Sequence, residues 1–143
     1  MRLKARRNWH YTTTVLSMTK SNHYRFYNRR PDGKLKEDCV CRAISLGLKL
    51  PYKTTEKLIN ITAQHNKCDA LCVCCYHNLL EDVFNLTVKY CKDGETVRDI
   101  ADMYPNNTVI IRIDSHLTCS VNSIVHDIWD CTNELVDCYW IAR

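Results

Sequence analysis

Ten cysteines occur among the 143 residues, and two of them, Cys39 and Cys41, sit where a thiol can be turned into a nucleophile. Asp38 is a suitable N-cap, and the stripes Cys39/Ala43/Leu46 and Cys41/Ile44/Leu48 that follow it predict a helix over 39 to 49, apolar on most of its surface. In the first turn of a helix the unpaired N–H groups and the dipole favour an anion, so a thiol placed there ionises more readily. Two side chains two residues apart on a helix diverge by roughly 200°, so only one of the two thiols can face a given partner. Cys39 directly follows the cap and leaves its thiol at the helix mouth, which makes it the preferred nucleophile. Cys41 is expected to turn away as a small buried hydrophobe.

A nucleophilic thiol needs a base, and the last third of the chain offers one. Residues 116 to 121 and 124 to 130 read as two strands around Asn122-Ser123, a dipeptide suited to a two-residue hairpin loop. In that register Thr118 opposes Asp127 and His116 opposes Trp129. His116 and Asp127 then share one face as diagonal neighbours, whereas Asp130 points to the other. A carboxylate so placed can hold one imidazole tautomer and stabilise the imidazolium.

A second group of sulfur and nitrogen ligands, His65, Cys68, Cys72, Cys74, Cys75 and His77, invites comparison with a zinc site. On one continuous helix His65, Cys68 and Cys72 would fall along one side, with a fourth ligand from Cys75 or His77. The spacing matches neither paired CxxC knuckles nor a zinc finger. A thiol-lined packing surface is the preferred reading, and no metal or other cofactor is expected.

The elements that must position these residues follow from local pattern. Pro51 ends the first helix, and further helices are predicted over about 53 to 66 and 76 to 85, with a short strand over 87 to 91. Thr96-Val97-Arg98-Asp99 has the form of a capping box and predicts a short helix to about 103, stopped before Pro105. Thr108 to Ile113 and Val136 to Ile141 complete a set of four late strands. Helices first and an antiparallel sheet last is an α+β arrangement, with the nucleophile on a helix and the base on the sheet.

Composition narrows the class. With 45% hydrophobic residues, 3 glycines and 3 prolines, the chain is neither a linker nor a low-complexity segment, and no glycine-rich phosphate loop is available. The basic start, Met1 to Arg7, is followed by no apolar run of signal-peptide length, and no stretch reaches membrane-spanning length. A cytoplasmic location with thiols kept reduced is therefore expected, with no membrane partner. The net charge of +4 is unevenly spread: residues 1 to 36 carry +9 and residues 37 to 143 carry −5. Residues 1 to 36 are thus read as a basic, aromatic N-terminal arm and 37 to 143 as the folded domain, with the turn Pro31-Asp32-Gly33 between them. Arg25, Arg29, Arg30, Tyr24 and Tyr27 are the arm's candidates for binding nucleic acid or an acidic protein surface, by charge and stacking. The same Thr- and aromatic-rich run also reads as β-structure packed on the body.

Asp38-Cys39-Val40-Cys41-Arg42-Ala43-Ile44-Ser45, then Ser115-His116, then His126-Asp127-Ile128-Trp129-Asp130-Cys131, and the closing Tyr139-Trp140 together resemble small papain-like cysteine peptidase-fold proteins of bacteriophages and bacteria. The resemblance covers about residues 37 to 141. It implies a papain-like fold and a site made of Cys39, His116 and Asp127, with Trp129 and Tyr139 packed around it. It departs at the oxyanion hole, because no Gln precedes Cys39, and Asp38 beside the thiol would oppose its ionisation unless engaged elsewhere.

The chemistry implied is cleavage of a peptide, isopeptide or amide bond. His116 takes the thiol proton, the thiolate attacks the carbonyl carbon, and the Cys39 backbone N–H with a donor such as Asn28 stabilises the oxyanion. The alternative is an inactive relative of the same fold that binds a partner, such as a host protein or nucleic acid, through the basic arm.

Overall fold

A computed structural model describes residues 23–143 of the chain. Expectations placed on residues 1–22, among them the basic start, Trp9 and Tyr11, lie outside the described residues.

The chain is α+β. In order it forms β1 (Tyr24–Phe26), α1 (Cys39–Gly47), α2 (Tyr52–Asn66), α3 (Val73–Asn78), a π-helical turn (Leu79–Val83), β2 (Val88–Tyr90), α4 (Val97–Met103), β3 (Thr108–Ile113), β4 (His116–Val121), β5 (Ile124–Asp127) and β6 (Val136–Ile141). The six strands make one sheet in the order β1-β5-β4-β3-β6-β2, antiparallel except where β1 runs parallel to β5. Among the described residues no helix is long and apolar enough to cross a membrane.

Strand alternation explains the two cores. Ile110 on β3 faces α1, α2 and α3, together with Leu117 and Cys119 of β4 and Trp140 of β6. Val109, Ile111 and Ile113 face the other way and pack with Val97, Ile100 and Ala101 of α4. Helices thus cover both faces, which is why Val109-Ile110-Ile111 at the centre of β3 is continuously apolar rather than alternating.

The hairpin register is the one expected from Asn122-Ser123. Both residues take positive φ, at 51° and 68°, as a tight two-residue turn requires, and Val121 pairs with Ile124 and Cys119 with His126. The second strand is shorter than expected. It stops at Asp127, and Asp130 bends back to accept hydrogen bonds from the backbone and hydroxyl of Thr132. The capping box also forms, with Asp99 N–H donating to the Thr96 hydroxyl and Thr96 N–H donating to the Asp99 carboxylate.

Three expectations are corrected. The helix foreseen over 76 to 85 starts at Val73 and widens into a π turn, which lets the adjacent Leu79 and Leu80 both be fully buried. The boundary after residue 36 does not separate an arm from the body within the described residues: Tyr24 pairs with Val125 and Phe26 with Asp127, so this stretch is an edge of the main sheet. The proposed cap at Asp38 makes no side-chain bond to the helix N-terminus, because its carboxylate is drawn to Arg42 and Arg30.

The helix carrying Cys39 packs across β4 and β3, and Gly47 near its end lies against Ile110 of β3. A Cβ at Gly47 would stand 2.5 Å from Cγ1 of Ile110 and 2.6 Å from its Cδ1, and Ile110 is itself fully enclosed. Gly47→Ala is therefore expected to cost about 1–3 kcal/mol by overpacking, measured by urea unfolding. An unchanged midpoint would show that α1 can shift on the sheet.

Candidate active site

Cys39 is the first residue of α1, and His116 is the first of β4, one residue after Ser115 at a φ of 57°. Their elements pack directly on one another, so the helix mouth meets the start of the strand. Cys39 and His116 line the same groove, close enough for the charge of the imidazole to act on the thiol. His116 is buried, and its Nε2 lies 2.6 Å from Oδ2 of Asp127 at the end of β5. With Nε2 held by the carboxylate, Nδ1 is the ring nitrogen left to serve the thiol. The three expected residues are thus brought together in the order thiol, imidazole, carboxylate.

Each group is shifted in the direction that favours an ion pair. Burial pushes the Cys39 thiol up, but the neighbouring His116, the Leu117 backbone and the charge of Arg42 together hold it below the ordinary thiol value. Burial alone would lower His116; the charge and hydrogen bond of Asp127 reverse this and raise it well above the ordinary value. Burial opposes ionisation of Asp127, yet His116 and Arg42 bring it down to about 2. Cys41 behaves as expected of the turned-away thiol. It donates to the Tyr52 carbonyl at 3.5 Å, and burial pushes it up to about 12.

Sequence reasoning missed Arg42. Its guanidinium, 7% exposed, ion-pairs with Asp38 one helical turn back, reaches Oδ1 of Asp127 at 3.4 Å and donates to the Lys36 carbonyl at 3.0 Å. Asp38 also accepts from the Tyr52 hydroxyl at 2.5 Å and lies 3.6 Å from Arg30. The carboxylate beside the nucleophile is therefore neutralised sideways. With Cys39 as thiolate and His116 as imidazolium, three anions (Cys39, Asp38, Asp127) meet three cations (Arg30, Arg42, His116). The i, i+4 pair Asp38/Arg42 was the available signal, though its second link to Asp127 spans 85 residues of sequence.

The remaining candidates fall differently. Trp129 flanks the site as expected, its ring 5.0 Å from that of His116. Tyr139 lies elsewhere: its hydroxyl meets that of Tyr104 at 2.9 Å on the α4 face. Asn28 is not an oxyanion donor, because its amide donates to the Lys34 carbonyl and its oxygen accepts from the Arg30 N–H, closing the turn around Gly33. Of the arm residues, Tyr24 is buried and donates to the Asp127 carbonyl at 3.1 Å. Arg29 holds the Leu50 carbonyl at 2.9 Å, and Arg30 is spent on Asp32, Tyr52 and Asp38. Arg25 and Tyr27 are exposed at the sheet edge. Most of the described arm thus braces the site rather than offering free charge.

The thiols around residue 72 form a group. Cys72 and Cys74 stand 3.1 Å apart at sulfur, Cys68 acts electrostatically on Cys74, and Cys75 donates to the Ile59 carbonyl at 3.6 Å. The one-sided helix assumed for zinc is absent, since α2 ends at Asn66 and Lys67 turns left-handed at a φ of 54°. His65 is exposed, and His77 is engaged by Glu81 at 2.8 Å and Arg112 at 3.1 Å. Among the described residues, the group bringing three metal-capable atoms within 4.8 Å of one another is His116, Asp127 and Cys131. There Cys131 donates to Asp127 at 3.8 Å behind the imidazole, and burial raises its thiol to about 11.

Cys39 and His116 open onto a groove of about 910 Å³. Its lining is mixed, with Lys36, Arg42 and Arg112 among the charged residues and Leu71, Val73, Tyr76, Ile128 and Trp129 among the apolar and aromatic ones. Comparisons with family models, with curated proteins and with solved structures return no match.

Replacing Arg42 by Met would remove the cation shared by the buried Asp127 and the half-buried Asp38. Arg42→Met is expected to destabilise by about 3–5 kcal/mol near neutral pH. Asp127, held at about 2 in the fold, contributes stability fully above its unfolded value of about 3.9 and loses it as pH falls toward 2. The penalty of Arg42→Met should therefore shrink as pH drops through that window in chemical unfolding, and a pH-independent penalty would assign Arg42 a packing role alone.

Proposed function

We propose that the chain is a cysteine hydrolase of papain-like architecture that cleaves a peptide, isopeptide or amide bond. The observation that carries this reading is a partly exposed thiol at a helix start, lowered in pKa, beside an imidazole oriented by a buried carboxylate on the wall of an open groove. The chain order of nucleophile helix, histidine strand and aspartate strand supports the likeness to small phage and bacterial papain-like proteins. A peptide or protein segment is the substrate that suits a groove with both apolar and charged walls.

The resting site holds the Cys39 thiolate against the His116 imidazolium. The thiolate adds to the carbonyl carbon, and the imidazolium gives its proton to the departing amine. That leaves an acyl thioester on Cys39 and a neutral His116. The neutral imidazole then takes a proton from water, whose oxygen attacks the thioester and restores the thiolate and imidazolium. Asp127 keeps Nε2 occupied through both steps, so Nδ1 alone shuttles the proton. The N–H groups of the first turn of α1 have no partner within the helix and face the same mouth, since Asp38 does not cap them.

Thiol alkylation tests this without knowledge of the substrate. Near neutral pH iodoacetamide should modify Cys39 ahead of the exposed Cys74, with peptide mapping as the readout. Because His116 holds the thiol below its ordinary value of about 8.5, the pH midpoint of Cys39 alkylation should lie below that value and move up in His116→Ala. Equal labelling of Cys39 and Cys74, with a midpoint indifferent to His116→Ala, would overturn the proposal.

A further inference from the structure

Acyl transfer at Cys39 leaves one role unfilled. Asn28 is committed to its own turn and no Gln precedes the thiol, so the oxyanion lacks a side-chain donor. Tyr76 on α3 is a polar side chain on the wall of the same groove as Cys39, and it is only 5% exposed. Its ring is fixed by the edge-on indole of Trp140 at 6.2 Å and by the His77 imidazole at 5.5 Å. Its hydroxyl feels the charge of Arg112, which is itself held by His77 at 3.1 Å and Asp137 at 3.7 Å.

The chemistry of that neighbour decides what the phenol can do. A guanidinium only donates, so Arg112 cannot take the Tyr76 proton, which remains to be given elsewhere. Burial pushes the phenol above its ordinary value and keeps it protonated, while the Arg112 cation polarises the O–H. Charge on the Cys39 sulfur is felt at the same hydroxyl, so thiol and phenol work within one electrostatic field.

We propose that Tyr76 supplies the side-chain arm of the oxyanion hole, its hydroxyl donating to the oxygen that becomes negative when Cys39 adds to a carbonyl. This rests on the hydrolase reading above and extends it. Arg112 acts as a positioning residue behind the phenol. In the addition step a C–S bond forms and the carbonyl π pair moves onto oxygen, where Tyr76 and the first-turn N–H groups meet it. Collapse returns that pair, expels the leaving group and leaves the thioester.

Two reagents that use the same thiol separate this role from a structural one. p-Nitrophenyl acetate acetylates Cys39 through an oxyanion and releases p-nitrophenolate. Iodoacetamide alkylates Cys39 by displacing iodide, and no oxyanion forms. Tyr76→Phe keeps the ring, so it should slow Cys39-dependent p-nitrophenolate release by about 100-fold or more, while the alkylation rate stays within about twofold. Equal slowing of both reactions would make Tyr76 a packing residue, and slowing of neither would remove it from the site; either result overturns the proposal. Release that persists in Cys39→Ala would instead sink the hydrolase reading, which keeps the two failures apart.

Discussion

The carboxylate of Asp127, buried at the end of β5, is the group on which the site depends. An ionised carboxylate in the interior is tolerable only when its lone pairs are filled. Oδ1 accepts from the Ile128 N–H at 2.7 Å and lies 3.4 Å from Arg42, while Oδ2 meets His116. Its backbone carbonyl is held as well, by the Tyr24 hydroxyl and the Tyr27 N–H. Three distant parts of the chain, the β1 edge, the first turn of α1 and the start of β4, thus converge on one residue. Each contact that satisfies Asp127 also places something useful: an oriented imidazole, a cation near the thiol, and an edge strand that closes the sheet.

The charge pattern around Cys39 follows from that convergence. Asp38 directly precedes the nucleophile and would raise its pKa if it stood alone. Arg42 lies one turn along the helix and is shared between Asp38 and Asp127, so one guanidinium answers both carboxylates. With Tyr52 and Arg30 completing the shell of Asp38, the helix start keeps its unpaired N–H groups for another anion. A capping Asp would have consumed one of those donors; a paired Asp leaves them all.

Much of this was legible in the linear chain where the determinant was local. Asn122-Ser123 set the hairpin register, and the register alone made His116 and Asp127 neighbours. The capping box at Thr96, the apolar stripes of α1 and the divergence of Cys39 from Cys41 needed only helix and strand geometry. Errors arose where a local signal had a distant competitor. Asp38 looked like a cap because it preceded a helix, and Asn28 looked like an oxyanion donor because it was polar and nearby. In each case a partner remote in sequence, or a turn closing on itself, took the side chain first.

The sequence by itself determined the α+β class, the placing of Cys39 at a helix start and the shared strand face of His116 and Asp127, because periodicity and turn chemistry act over a few residues. Only the tertiary structure decided that β1 joins β5 in parallel, that β6 inserts between β3 and β2, that Arg42 bridges two carboxylates, and that Tyr76 and Arg112 reach the groove of Cys39. The physical reason is desolvation. Buried charges and hydroxyls must find partners wherever packing brings them, and packing is settled by both faces of the sheet at once rather than by any segment alone.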